Sequence, residues 1–189
     1  FSQIAMATLH MLYEAGVQTV LPPGYMCCGY PQTSVGLHDK GRAITTENRV
    51  LFHRIANTLN YLDIKTVIVS CGTCMDQLLK YEFEKIFPDC QLLDIHEYLM
   101  RKDINIKNTT GKKYIYHDPC HTPIKQHNPL TVASTLLNQQ VTGSDRCCGE
   151  SGTLATARPD IAEQLRYRKQ EELTKNINDL CGNNTVKNN

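Results

Sequence analysis

Met26-Cys27-Cys28-Gly29-Tyr30-Pro31 and Arg146-Cys147-Cys148-Gly149-Glu150-Ser151 each place two adjacent thiols ahead of a glycine, twice in one chain. Neighbouring side chains on a strand point to opposite faces, so both sulfurs of such a pair reach one centre only where the chain bends. The glycine supplies that bend, because it takes backbone angles that other residues avoid. Cys71-Gly72-Thr73-Cys74 adds the loop spacing at which two thiolates chelate one metal ion or cluster. A lone Cys120, in His117-Asp118-Pro119-Cys120-His121, precedes the second pair, and Cys181 follows it. The chemistry on offer is that of thiolates holding a metal.

Composition supports that reading over a disulfide framework. The chain has 189 residues, 41% hydrophobic and 21% charged, the make-up of an ordinary globular protein with room for one good core or two small similar lobes. Disulfide scaffolds are usually short, secreted and poor in core. Nine cysteines is also an odd count, which leaves one thiol over. A reduced, cytoplasmic, metal-binding set fits better. The net charge of +1, without a basic block, gives nucleic-acid binding no electrostatic support. No apolar run approaches the length of a membrane span and no signal peptide is visible, which leaves a membrane partner subunit open. No Gly-x-Gly-x-x-Gly occurs, so a dinucleotide site has no support.

The elements that must position these sulfurs alternate between helix and strand. Ile4, Ala5, Leu9, Leu12 and Tyr13 recur at helical spacing, and Gly16 suits the helix end. Val17 to Leu21 reads as a short buried strand, broken by Pro22-Pro23-Gly24 just before the first cysteine pair. A long amphipathic helix is expected from about Asp39 through Leu62, with Ile44, Val50, Leu51, Ile55, Leu59 and Tyr61 on its apolar side. Lys65 to Ser70 is a β-branched run typical of a parallel sheet, and it delivers Cys71 at its carboxyl end. A helix from about Cys74 to Phe87, a strand at Gln91 to Ile95 and a short helix at His96 to Arg101 follow.

Then the pattern restarts. Tyr114-Ile115-Tyr116 is a strand ending near Cys120, Pro129 to Gln139 is helical, a short strand leads into Cys147, and Asp160 to Leu173 is a charged helix. This is an internal duplication of an α/β unit. The expected fold class is α/β: two pseudo-repeated Rossmann-like units with short parallel sheets flanked by helices, and ligands at strand carboxyl ends. The expected division is a first repeat over 1–102, a polar linker over 103–113, a second repeat over 114–181, and a disordered tail over 182–189.

These clusters resemble the cysteine-rich CCG-domain family, whose pattern is Cys, a spacer, Cys-Cys-Gly, a similar spacer and Cys-x-x-Cys, usually twice. It occurs in the B subunit of heterodisulfide reductase, the glycolate oxidase iron–sulfur subunit, the lactate-utilisation iron–sulfur protein and the C-terminal part of FAD-linked oxidases. The resemblance covers essentially the whole chain. It implies an iron–sulfur cluster of the 4Fe-4S type held by Cys27, Cys28, Cys71, Cys74, Cys120, Cys147 and Cys148, with Cys181 as a further metal ligand. It also implies electron transfer from a flavin-binding domain or subunit, which oxidises a small 2-hydroxyacid such as glycolate or D-lactate, toward a quinone or another electron carrier. FAD then belongs to that separate domain or subunit, and the protein is cytoplasmic or peripheral to the inner face of the membrane through partners. Two departures stand out: the first repeat lacks its leading cysteine, and the second Cys-x-x-Cys reads Cys181-Gly182-Asn183-Asn184. Both suit a truncated piece of a longer parent, not active alone.

Other readings stay open beside this one. Four thiolates bind zinc as readily as iron, which allows a zinc-stabilised structural or assembly module. Cys71-x-x-Cys74 at a helix start allows a thiol redox site, as in a thiol–disulfide catalyst or a heterodisulfide-type centre. Cys90 fits no motif and reads as an ordinary half-buried thiol. His117 and His121 flank Cys120, and shaping the loop is the favoured role over ligation. Glu150 and Ser151 are read as caps for the next helix, Arg158-Pro159-Asp160 as a helix start, and Arg42, Arg49 and the Arg166–Glu172 run as solvated faces.

Overall fold

A computed structural model describes residues 2–23, 26–150 and 152–182. Its helices and short parallel strands alternate along the chain, the α/β class expected. The chain divides into two compact units, one formed by Phe1–Asn105 with His121–Asn128, the other by Ile106–Cys120 with Pro129–Asn189.

In the first unit, α1 (Ser2–Glu14) ends at Gly16, whose φ of 68° is the left-handed conformation a helix stop requires. Helix α2 (Tyr30–Ser34) starts right after Gly29, and the long α3 (His38–Thr58) follows. Strand β1 (Thr66–Val69) runs parallel to β2 (Gln91–Asp94), with Thr66 opposite Gln91 and Val69 opposite Asp94. Parallel strands need a crossover, here α4 (Gly72–Leu78) and two 3-10 turns. The helix expected through Phe87 therefore stops early. Glu82 takes a left-handed φ of 53°, and the break lets Tyr81 and Phe83 both turn inward. They form the core with Ile55, Ile86, Phe87 and Cys90, and Phe52 packs edge-on to Phe83 at 5.0 Å.

Helix α5 (Ile95–Arg101) is capped by Asp94, whose Oδ1 accepts from the His96 amide at 2.8 Å. From this helix the fully buried Glu97 receives the amides of Gln126 and His127, at 2.8 and 2.9 Å, and His127 Nδ1 at 3.0 Å. A buried carboxylate is tolerable only with its lone pairs filled. Glu97 thus ties the segment after Cys120 into the first unit.

Val17 to Leu21 is not a strand. Among the described residues the segment enters no ladder, and its strand-like sequence alone does not make one.

The second unit repeats the scheme in smaller form. Strand β3 (Ile115–His117) runs parallel to β4 (Thr142–Ser144), with His117 opposite Ser144, and α6 (Pro129–Leu137) lies between them in the chain. Ile106 donates its amide to Leu136 and Thr109 its hydroxyl to Leu137, so the polar stretch before β3 lies along the end of α6. After a short α7 (Leu154–Ala157), α8 runs over Pro159–Cys181, longer than the sequence suggests, and ends at Gly182 with φ 70°. The buried apolar residues of this unit are Val132, Leu136, Val141 and Ala162. Among the described residues no helix is long and apolar enough to cross a membrane.

Candidate metal centre

The two Cys-Cys-Gly bends have the same construction. Gly29 and Gly149 take φ of 83° and 78°, and each glycine amide points back at the first sulfur of its own motif. Gly29 N lies 3.5 Å from Cys27 Sγ, and Gly149 N lies 3.4 Å from Cys147 Sγ. Hydrogen bonds to the sulfurs are among the features that set the potential of an iron–sulfur group. Each glycine also lies against the long helix of its unit. A Cβ at Gly29 would come 3.2 Å from the Gly41 carbonyl oxygen, and one at Gly149 would come 2.7 Å from that of Ala162.

In the first unit the cysteine pair meets the Cys-x-x-Cys loop. Strand β1 leads directly into Cys71, and the turn into α4 brings Cys74 to Cys28. The Cys74 thiol donates to Cys28, which, with the backbone amides of Tyr30 and Cys28 against opposing burial, pulls Cys28 down to about 6. The same bond, seconded by burial, pushes Cys74 far up. Burial also raises Cys71, but bonds from the Thr73 hydroxyl, at 3.2 Å, and from the Cys74 amide outweigh it and leave this thiol below its ordinary value. Cys28, Cys71 and Cys74 are therefore one hydrogen-bonded sulfur group that begins to ionise near neutral pH. Cys27 and Cys28 are half-buried, and Asn48 of α3 fixes their loop by donating to the Cys27 carbonyl at 2.7 Å.

A polar chain borders this group. His121 Nε2 lies 3.1 Å from Tyr30 Oη, and its Nδ1 lies 2.6 Å from Asp76 Oδ2, while Lys125 Nζ lies 2.8 Å from Asp76 Oδ1. Burial raises Asp76, but Lys125 and His121 outweigh it and hold the carboxyl low. A Cβ on Gly72 would come 1.4 Å from the His121 carbonyl oxygen, so only glycine lets this segment lie on the start of α4. His121 shapes the loop through two ring bonds, the role favoured from sequence.

In the second unit β3 and β4 bring Cys120 and Cys147 to one end, each three residues beyond the paired His117 and Ser144. The turn into Cys147 is gripped by Glu172 of α8, which accepts from Ser144 Oγ and the Asp145 amide, both at 2.8 Å, and from the Arg146 amide. The buried Lys169 donates to Ser144 Oγ and to Glu172. Burial works against ionised Glu172, but these donors hold it down to about 2. Cys120 and Cys147 are exposed and Cys148 half-buried. Among the described residues, the buried His117 Nδ1 has no hydrogen-bond partner.

Three expectations are corrected. Glu150 does not cap the following helix: Thr153 holds the N-cap position, and Glu150 instead faces Arg166 at 3.5 Å, while Ser151 lies outside the described residues. Cys181 sits on the last turn of α8. Cys90 is not half-buried but a core residue, its thiol pushed up by burial. The Arg166–Glu172 run, expected as a solvated face, holds the buried Lys169 and its partner Glu172, while Asn48, Asp76 and Glu97 escape sequence reading. Only Asp76 leaves a signal, standing two residues after Cys74 as Tyr30 stands two after Cys28.

Among the described residues, no three His, Cys, Asp or Glu side chains are grouped to hold a single metal ion. The chemistry of the donors nevertheless fits an iron–sulfur group: all are sulfur, two lie below the ordinary thiol range, and Cys27 and Cys147 receive an amide N–H.

Comparison with known proteins points the same way. The family model described as CCG, cysteine-rich domain, matches residues 1–79 and 114–184. The chain is 28% identical over 179 residues to the B subunit of fumarate reductase (CoM/CoB) of Methanothermobacter marburgensis, covering 91% of this chain and 35% of that protein. It is 26% identical to lactate utilization protein A of Shouchella clausii, covering 86% of this chain and 72% of that protein. With the glycolate oxidase iron-sulfur subunit of Escherichia coli it shares 27% identity, covering 88% of this chain and 44% of that subunit. The chain spans about a third of the length of the first relatives it matches. No solved structure matches it.

Proposed function

Because the chain belongs to the cysteine-rich CCG-domain family, we propose that it is the iron–sulfur electron-transfer part of a flavin-linked oxidoreductase. The observation that carries this reading is the sulfur group of Cys28, Cys71 and Cys74, gathered at the carboxyl end of β1 and ionising from about pH 6. Iron–sulfur groups supply one-electron transfer, with a potential set by burial and by hydrogen bonds to the sulfurs. Cys27, Cys28, Cys71 and Cys74 would hold one such group, and Cys120, Cys147 and Cys148, with Cys181, the other. We read residues 1–102 and 114–181 as the two repeats that carry them, and the 4Fe-4S type as the cluster.

The residues of the chain have separable tasks. The Gly29 and Gly149 amides face the leading sulfurs and give each an N–H donor. Asn48 and Glu172 hold the bends from the long helices. Tyr30, His121, Asp76 and Lys125 fix the Cys-Cys-Gly and Cys-x-x-Cys loops of the first unit in one arrangement. The relatives named for glycolate oxidase and lactate utilization support a small 2-hydroxyacid as the electron source. A flavin-binding domain or subunit would oxidise it, and a quinone or other carrier would accept the electrons, on the cytoplasmic side.

Anaerobic reconstitution with iron and sulfide tests the proposal, followed by iron and labile-sulfide analysis and electron paramagnetic resonance. A reducible cluster that is lost in Cys28→Ser supports it. A colourless, redox-silent protein that takes up only zinc overturns it in favour of a structural zinc module.

A further inference from the structure

The segment 121–128 contains neither helix nor strand. Among the described residues the backbone of 121–127 makes no backbone–backbone hydrogen bond, so side chains set its place. It is fastened twice within the first unit. At its start the His121 carbonyl lies against Gly72, between Cys71 and Cys74. The His121 ring spans Tyr30 Oη, at 3.1 Å, and Asp76 Oδ2, at 2.6 Å. Tyr30 stands two residues after Cys28 and Asp76 two after Cys74, so one ring joins the two cysteine loops. Lys125 repeats the hold on Asp76 from further along, at 2.8 Å.

The second fastening is Glu97 of α5. Its Oε1 accepts from the Gln126 and His127 amides and lies 3.0 Å from His127 Nδ1, while Oε2 accepts from the Lys125 amide at 3.3 Å. Arg101, one turn on, donates to the Gln126 side-chain oxygen. Ile124, just ahead of these residues, is buried. Among the described residues every side-chain bond of Glu97 goes to this segment and none to a sulfur. A fully buried carboxylate is costly to place, and here what it holds is a stretch with no ladder of its own.

We propose that segment 121–128 is a strap that holds the Cys-x-x-Cys turn against the Cys-Cys-Gly bend, and that Glu97 is its remote positioning residue. Glu97 fixes residues 125–127, these place Lys125 and His121 on Asp76, and Asp76 fixes the turn of α4 that carries Cys74. A ligand set held in place beforehand loses less conformational entropy when it binds its metal. The inference adds a positioning residue to the proposed iron–sulfur site and rests on that reading for its purpose. Its test reads thiols in the metal-free chain, so either can fail without the other.

The full metal-free chain is alkylated briefly with iodoacetamide at neutral pH, and each cysteine is followed by mass spectrometry. Glu97→Gln keeps the size of the side chain but turns an amide donor toward the strap's own N–H groups. It should speed modification of the half-buried Cys74 by at least about fivefold, since bonds to a charged acceptor are the ones whose loss costs most. Cys90, in the core of the same unit, and Cys148, in the second unit, should keep their rates. Lys125→Met, which frees Asp76 from the other fastening, should act on Cys74 in the same direction. In the double variant the effect should fall short of the product of the two, because both act through one strap. An unchanged Cys74 rate in both single variants would overturn the proposal. So would Cys90 speeding up in step with Cys74, which would make Glu97 a support of the whole fold and not of this turn.

Discussion

The two Cys-Cys-Gly bends differ in how they are held. Both use a left-handed glycine packed on a long helix, with its amide on the first sulfur. Seven residues along each helix from the packing point, Gly41 or Ala162, stands the anchor: Asn48 in the first unit and Lys169 in the second. Asn48 is neutral and bridges the Cys27 carbonyl to Tyr81 Oη, at 2.7 and 3.0 Å. Lys169 is a buried cation, so it needs Glu172 beside it, and that carboxylate in turn grips the turn before Cys147. The geometry of the bend is common to both copies because the sulfurs demand it. The anchor varies because any satisfied donor serves.

This contrast can be broken most strongly at its ionic side. Glu172→Ala leaves Lys169 buried without its carboxylate and should cost about 3 to 5 kcal/mol. Asn48→Ala removes neutral bonds and should cost about 1 kcal/mol. Denaturant titration gives both values, and hydrogen exchange shows whether each loss stays within its own unit. The shared side comes next: Gly149→Ala, facing a carbonyl at 2.7 Å, should cost about 3 kcal/mol, and Gly29→Ala, with 3.2 Å, about 1 to 2 kcal/mol. Equal losses would mean that the two helices do not press on the bends differently.

Acid and base should also separate the units. Glu172 is held near 2 against an ordinary 4.5, so its contribution is present above about pH 4.5 and is lost as pH falls through 2. Cys28 is held near 6 against an ordinary 9.0, so its contribution is present above about pH 9 and is lost as pH falls through 6. The metal-free chain should show a thiolate absorbance step near pH 6 that moves back toward the ordinary range in Cys74→Ala. At the small end, Glu150→Gln removes an exposed pair with Arg166 and should change stability by no more than about 0.5 kcal/mol.

Sequence made the sulfurs legible because adjacency, glycine and repetition are local patterns. The alternation of helix and strand was equally readable, since the β-branched run into Cys71 and the helix periodicities are short-range signals. The anchors were not. Asn48, Glu97 and Glu172 act on residues 21, 29 and 27 positions away, at Cys27, Gln126 and Asp145, and nothing in local spacing announces such pairs. The 17–21 segment failed for a related reason: its sequence is that of a strand, but a strand is a relation between two segments. The helix expected through Phe87 broke because burying both Tyr81 and Phe83 outweighed the left-handed angle at Glu82.

The stretch His121–Asn128, which follows Cys120 in the chain yet belongs to the first unit, makes the two units inseparable by scissors. Wherever a single cut is placed between residues 106 and 120, the amino-terminal piece leaves with the buried Glu97 and without the amides of Gln126 and His127 that donate to it. The carboxyl-terminal piece keeps those two amides and has no Glu97 to receive them.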